Sequence, residues 1–348
     1  MEKSPSVKIC VPTYNSSKTL QETMGSILGQ SYNDIKVVVT DNDSTDDTEK
    51  IVKSFKDRRL FFRNNILSQE YGRDTVGALE SCNNCFLSNL ADGEFVAFYH
   101  SDDIYEKDMV KKEVDFLVNN PEAGAVFVLG RRIDKNGKIV SKIKMPKELI
   151  GKNIYSFMEV FNAILNNGNI FLITPTFMTR KEAFINVGMF SEEFGTSADL
   201  EMWLRVAEKY PIGILNHNLF RCRVGIGGAL SRYHRLRTEK AEFFKIMDHY
   251  LYNKSYISKA DKNCLKQYRR QEDFDYTFRA MNFLIQGNIG EAKKIINRPN
   301  SWETTASYFE NSNVLKIKGL VLKIVLFLGT NSGLGGPLGK LLKIYLFS

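Results

Sequence analysis

The stretch VKICVPTYNSSKTLQETMGSILGQSYNDIKVVVTDNDSTDDT, residues 7–48, decides the fold. Its apolar runs 7–12 and 35–40 read as strands, and the pattern from Lys18 to about Gln30 reads as a helix between them, which makes a βαβ unit. The rhythm continues outward. A polar helix is predicted near 48–55, a short strand at 60–62, a helix at about 76–90, a strand at 95–99, a helix at about 106–119 and a strand at 123–130. Alternation of this kind predicts an α/β fold, a mixed, largely parallel sheet flanked by helices. The segment DKNGK, 134–138, has a turn signature and predicts a small hairpin. After Pro146 the rhythm loosens, although 171–179 reads as extended and 197–210 as an amphipathic helix. From about 232 to 296 the residues are polar, aromatic-rich and helix-like, so a helical extension is expected there.

Composition narrows the classes. A chain of 348 residues with 43% hydrophobic content can bury a large core. Five cysteines at irregular spacing make no disulfide framework, and MEKSPS runs straight into a strand without a signal-peptide core, so a reducing cytosol is expected. Cys82 and Cys85 form one CxxC in a helical pattern with no second pair, which argues against a zinc site. The net charge of +8 sits in the C-terminal half: residues 221–270 hold 13 basic and 4 acidic side chains, and 311–348 hold 5 lysines and no acid. Such asymmetry suits a polyanionic partner, whether a phosphate-rich substrate, a nucleic acid or an anionic membrane.

In an open parallel sheet, ligands bind at the carboxyl ends of the strands. Three polar loops leave such ends, TYNSS (13–17), DNDSTDD (41–47) and HSDD (100–103), and should converge on one site. Each loop alone is compatible with helix capping. Adjacent carboxylates at a strand end, Asp102 and Asp103, repel one another unless a cation compensates, which favours Mn²⁺ or Mg²⁺ shared with substrate phosphates. Neither a P-loop nor a dinucleotide-binding glycine pattern follows the first strand.

The 7–48 stretch, ADGEFVAFYHSDDIY (91–105) and VGMFSEEFGTSADLEMWLRVA (187–207), in that order, resemble the inverting family-2 glycosyltransferases, nucleotide-sugar enzymes of the Rossmann-like GT-A fold. The likeness covers about residues 5–231. It implies that Thr13 and Tyr14 border the nucleotide base, that Asp41 contacts the base ring, and that Asp102 lies near ribose and metal with Asp103 as principal metal ligand. Asn84 and Arg73 are further donor-contact candidates. Asp199 falls at the position of the catalytic base, in the first turn of a helix whose Leu200, Trp203, Leu204 and Ala207 form an apolar stripe; a carboxylate there can take a proton from an acceptor hydroxyl. Glu201 is the rival base. Three departures stand out: Ala198 replaces an acidic residue common before the base, His100 stands where the family often has an acidic residue and is read either as orienting a phosphate or as a polar strand-end residue, and FRCRVGIGGALS (220–231) lacks the histidine that many members carry. Arg223 in that segment suits pyrophosphate neutralisation.

The tail, 313–348, is basic, apolar and acid-free, and its uninterrupted apolar run 324–328 is too short to span a bilayer. It fits a segment lying on an anionic membrane surface, or a terminal helix packed on the protein. The expected organisation is therefore a GT-A domain at 1–231, a helical subdomain at 232–312 and a membrane-associating tail at 313–348. The expected function is transfer of a sugar, from a UDP-sugar first among nucleoside-diphosphate donors, to a glycan or polyprenyl-linked acceptor of cell-surface polysaccharide assembly. The expected location is the cytoplasm, peripheral on the inner face of the membrane. A catalytically inactive GT-A binding module and a nucleic-acid-binding protein are the alternatives, the latter without any recognised motif.

Overall fold

The computed structural model describes residues 4–64, 75–225, 236–298 and 314–347. The chain divides into two compact units, Met1–Gly227 and Gly228–Ser348.

The first unit opens with β1 (Val7–Thr13), α1 (Leu20–Leu28), β2 (Ile35–Asp41), α2 (Thr48–Ser54), β3 (Leu60–Asn64), α3 (Thr75–Leu87) and β4 (Phe95–Phe98). Successive residues of β1 and β2 are buried, including Ile9, Cys10, Val11 and Val37 to Val39, as expected for strands covered on both faces. Helix α1 seals one face with Leu20, Met24 and Ile27, spaced one turn apart. β1 runs parallel to both β2 and β4, with Thr13 beside Asp41 and Cys10 beside Phe98. This register brings the loops after all three strands to the same edge of the sheet.

The unit continues with β5 (Ile104–Tyr105), α4 (Met109–Asn119), β6 (Ala125–Ile133), β7 (Ile139–Lys142), β8 (Ile154–Tyr155), α5 (Phe157–Asn167), β9 (Phe177–Arg180), α6 (Lys181–Val187), α7 (Ala198–Lys209) and β10 (Ile212–Arg223). The sheet order is β3-β2-β1-β4-β9-β6-β10-β5, with β7 on β6 and β8 on β10. β9 lies antiparallel between β4 and β6, so the ten-stranded sheet is mixed. The expected hairpin joins β6 to β7; Asp134 N–H donates to the Lys138 carbonyl, and Gly137 takes the positive φ of 83° that the turn requires.

Two elements go beyond the sequence reading. β10 is twelve residues long, but its pairing with β6 shifts register on either side of Asn218, and the polar Asn216, His217 and Asn218 interrupt its alternation. The segment 171–179 is only partly extended, because a 3₁₀ turn at Thr174–Thr176 carries Pro175 before β9 begins.

In the second unit α8 (Glu242–Asp248) passes into a π turn (His249–Asn253). Then follow α9 (Lys262–Ile285), α10 (Ile289–Ile296), α11 (Val314–Asn331) and α12 (Gly335–Phe347). Asp261 caps α9 by accepting from the Asn263 and Cys264 amides. Ala280, Leu284, Ala292, Ile296 and Leu326 form the core of this unit, with Leu322, Phe327, Leu338 and Leu342 packed against it. The tail helices α11 and α12 are thus built into the same unit as α9 and α10. Lys323, one of the five lysines of the basic tail, is buried and donates to both oxygens of Asp273 at 2.8 Å.

Candidate active site

The three strand-end loops are bonded into one platform. Asn15, at φ 47°, accepts from the Thr45 amide through Oδ1 at 2.8 Å and donates its own amide to Ser44 Oγ at 2.8 Å. Ser17 N–H donates to Asp46 Oδ2 at 3.1 Å, and Ser16 N–H to Thr48 Oγ1 at 2.9 Å. Ser16 Oγ lies 2.7 Å from Ser101 Oγ, while Thr19 and Thr23 donate to the Ser101 carbonyl at 3.1 Å each. The polar residues that looked like caps therefore also tie loop to loop. Asp46, satisfied by Thr48 and Ser17, is held well below the usual carboxylate range, at about 2, despite the opposing effect of partial burial.

A cleft of about 380 Å³ opens on this platform, lined by Thr13, Tyr14, Asn15, Ser16, Asn42, His100 and Asp102 among others. Tyr14 is exposed over it. Thr13 is buried and donates through Oγ1 to Asp41 Oδ1 at 2.9 Å. Asp41, also buried, accepts from Ser44 Oγ at 2.6 Å and from the Ser44 amide at 3.0 Å. Asp41 and Thr13 are thus buried next in sequence to the exposed Tyr14 and the buried Asn42, both of which line the cleft.

Beyond β4 the chain places His100, Asp102 and Asp103 together; one ligand atom from each lies within 4.8 Å of the others. Asp103 is 1% exposed. Its Oδ1 accepts the Arg223 amide at 2.8 Å, whereas Oδ2 has no hydrogen-bond partner among the described residues and stands 3.5 Å from His100 Nδ1. A buried carboxylate oxygen left this way is costly unless something positive completes it. Two carboxylates and an imidazole are hard-to-borderline donors, and this set fits a divalent cation.

The charges respond accordingly. Burial raises the Asp102 carboxyl above its usual range, and the adjacent Asp103 raises it further. Desolvation alone would lower His100, but the adjacent Asp103 carboxylate, with the charges of Asp102 and Asp199, raises it. Cys222, on the neighbouring strand, is pushed up to about 12 by burial and then by the two aspartates.

Arg223, expected to neutralise pyrophosphate, is anchored within the protein. Its guanidinium is nearly buried and donates to the Asp102 carbonyl at 3.1 Å and to Glu22 at 2.7 Å. It braces the carboxylate pair from behind through side chain and backbone together. Glu22, on α1, is a residue that sequence reasoning did not single out.

Asp199 stands in the first turn of α7, above a packed aromatic group in which Trp203 meets Phe177, Phe127 and Phe190. Thr174 Oγ1 donates to Asp199 Oδ2 at 2.7 Å, and the Leu200 amide lies 2.7 Å from Oδ1. Burial raises the Asp199 carboxyl; those two hydrogen bonds and the charge of His100 oppose it. The mutual electrostatic influence of Asp199 and His100 puts the expected base in the same field as the carboxylate pair. Glu201 is occupied elsewhere, since both its oxygens take Arg205 Nε at 2.7 and 2.8 Å. Arg205 in turn donates to the carbonyls of Val187, Gly188 and Met189.

Of the remaining candidates, Asn84 lies half-buried on α3; its neighbour Asn83 pairs in both directions with the Phe190 backbone, at 2.9 and 3.1 Å. Arg73 lies outside the described residues. Thr174, Ser44 and Ser101 are the contributors that sequence reasoning missed; the sole signal for Ser44 and Ser101 was their membership of strand-end loops.

A mixed sheet with a nucleotide-sized cleft and a carboxylate pair at its carboxyl edge, and a helix-borne carboxylate nearby, has the architecture of a sugar-nucleotide transferase. The sequence model described as Glycosyl transferase family 2 matches residues 8–188, more than half of the chain, and the chain belongs to that family. It is a glycosyltransferase. It is 27% identical over 211 residues to the Escherichia coli UDP-Glc:alpha-D-GlcNAc-diphosphoundecaprenol beta-1,3-glucosyltransferase WfgD, covering 60% of this chain and 73% of that protein. A second E. coli enzyme of the same description, WfaP, is 33% identical over 111 residues, 32% of this chain and 41% of that protein. Among solved structures, S. aureus TarS 1-349 in complex with UDP-GlcNAc superimposes with a TM-score of 0.53 at 17% identity, over 94% of this chain and 92% of that chain. The chain spans 55% of the longer TarS structure. The TarS likeness establishes the GT-A fold.

Proposed function

We propose that the protein transfers a sugar from a UDP-sugar to an acceptor hydroxyl with inversion at the anomeric carbon. The observation that carries this reading is the incompletely satisfied Asp103 carboxylate beside Asp102 and His100, in the same electrostatic field as Asp199. Tyr14, with Thr13 and Asp41 behind it, forms the wall on which the base and ribose rest. Asn84 and Arg73 are retained as donor contacts. His100, Asp102 and Asp103 would hold Mn²⁺ or Mg²⁺, whose positive charge stabilises a departing diphosphate. Arg223 and Glu22 keep that carboxylate pair in place.

Asp199 accepts the acceptor proton as the hydroxyl attacks in line; a single displacement of this kind inverts the anomeric configuration. Its raised pKa makes it a stronger base than an exposed aspartate, and the Thr174 hydroxyl fixes which oxygen faces away from the acceptor. The lipid-linked acceptors named for WfgD and WfaP support a polyprenyl-diphosphate glycan as acceptor here, in cell-surface polysaccharide assembly. UDP and UDP-GlcNAc bound to TarS support a uridine nucleotide. The lipid-linked acceptors named for WfgD and WfaP also support a peripheral place on the inner face of the membrane; no helix among the described residues is long and apolar enough to cross one.

The test is UDP release from a panel of UDP-sugars with and without Mn²⁺, in wild type and Asp199→Asn. The variant should lose about 10² to 10⁴ in kcat with donor affinity nearly intact. Equal loss of donor binding would make Asp199 structural, and an unchanged rate would remove it as the base.

A further inference from the structure

Helix α11 is turned inside out with respect to a soluble surface helix. Between Val321 and Asn331 its one charged residue is Lys323, and that lysine is buried against Asp273. Leu326 is also fully buried, with Leu322 and Phe327 packed on the same core. The opposite side carries Val321, Ile324, Val325 and Leu328, which are 53%, 40%, 40% and 59% exposed. Their spacing of three, four and seven residues places them in one stripe about 100° wide. A helix apolar all round normally belongs in a core, yet this one leaves an apolar stripe about 100° wide uncovered.

The surroundings favour one occupant. Residues 311–348 contain no acid, and Lys340 and Lys343 on α12 are exposed, as is Leu341 at 65%. An apolar stripe accompanied by cations and free of anions complements an anionic lipid surface, in which side chains enter the acyl boundary and lysines reach the headgroups. We propose that the outward stripe of α11, with Lys340 and Lys343, is the surface by which the enzyme rests on an anionic bilayer. The inference deepens the lipid-linked acceptor reading, and physically it stands on the exposed stripe, the two exposed lysines and the acid-free tail. The same helix thus has two jobs on two sides: its inner side is structural, and removing the tail would break the Lys323–Asp273 pair along with any lipid contact.

Point variants on the outer side avoid that confusion. The full chain is sedimented with vesicles of phosphatidylglycerol and phosphatidylcholine, and with phosphatidylcholine alone. Wild type should bind the anionic vesicles and bind the neutral ones less well. Val325→Glu combined with Leu328→Glu should reduce partitioning by about tenfold or more, since two apolar contacts become charges. Lys340→Gln with Lys343→Gln should reduce the anionic preference by about fivefold per lysine. Circular dichroism and thermal midpoint should stay at wild-type values, because these side chains already face solvent. Transfer to a soluble acceptor analogue should also persist, which reads the proposed reaction separately: a protein that binds vesicles but transfers nothing refutes that reaction and leaves this surface standing. Three results would overturn the surface: wild type that ignores anionic vesicles, a glutamate variant that binds them as tightly as wild type, or a wild-type dimer in sedimentation that the same variant dissociates without any lipid dependence.

Discussion

Asp103 in the first unit and Asp273 in the second are both buried carboxylates, 1% and 2% exposed. Their surroundings differ. Asp273 takes Lys323 on both oxygens and Arg298 on one, and Arg298 also lies 3.9 Å over the Tyr276 ring. Asp103 takes one backbone amide and leaves an oxygen facing an imidazole at 3.5 Å. Burial of charge is costly in both places. In the second unit the cost is offset within the protein, by Lys323 of α11 and by Arg298 just past the end of α10, which the Asp273 of α9 helps to join. In the first, one carboxylate oxygen is left without a hydrogen-bond partner among the described residues, beside the His100 and Asp102 that line the cleft. A buried acid with closed partners is part of a scaffold, and one with an open valence is part of a site.

The sharpest way to break this comparison is to neutralise each acid. Asp273→Asn removes the carboxylate charge that the buried Lys323 and the half-buried Arg298 share, and should destabilise the second unit by about 3 to 5 kcal/mol. A chemical-denaturation midpoint reads that loss. Burial already lowers the Lys323 pKa against the opposing pull of Asp273, so the variant lysine should lose its proton more readily still. Asp103→Asn should do the reverse, leaving stability close to wild type while lowering UDP release by about 10² to 10³ and removing most Mn²⁺-dependent donor binding. If Asp103→Asn unfolds the protein and Asp273→Asn only slows the reaction, the two roles have been exchanged and the comparison fails.

Much of the first acid's setting was legible in sequence, and little of the second's. The carboxyl ends of β1, β2 and β4 follow from apolar period and polar punctuation, and Thr13, Tyr14, Asp41, Asp102 and Asp103 all fall there. Their bonding was not legible, because each platform contact joins loops about 30 to 85 residues apart. Thr174 was invisible for a similar reason: it meets Asp199 across 25 residues, from a 3₁₀ turn in a segment that reads as extended. β10 escaped because Asn216 to Asn218 break its alternation. The orientation of α11 was undecidable from composition, since a helix apolar on every side has no moment to show which way its lysine points. Its direction is set by Asp273, fifty residues away.

A smaller effect sharpens the contrast by testing an acid of intermediate kind. Asp199 is desolvated like the buried pair, but its partner is a neutral hydroxyl. Thr174→Val should lower kcat about tenfold, the worth of one hydrogen bond to a charged group, with donor KM unchanged. Thr174→Ser should restore most of the rate, because it keeps the hydroxyl. A valine variant with wild-type kcat would show that α7 alone positions the base. A rise in donor KM of similar size would show that the turn at Thr174–Thr176 supports the nucleotide cleft instead.

The smallest expected effect belongs to Asp46, an exposed acid whose partners are amides and hydroxyls of the platform. Its folded pKa is about 2, below the usual aspartate value of 3.8. A depressed pKa means that the folded state binds this proton less readily than the unfolded chain does. The contribution is therefore complete above about pH 4 and is lost as pH falls through about 2. Because the group is exposed, solvent screening limits it to about 1 kcal/mol or less. Urea midpoints of wild type and Asp46→Ala, compared between pH 6 and pH 2.5, should differ most at pH 6 and converge on acidification. A gap that widens as pH falls would mean that Asp46 carries a proton in the folded state. It would then stand with Asp102 and Asp199, whose burial raises their affinity for a proton, and the junction between the loops after β1 and β2 would owe its shape to the neutral form of the acid.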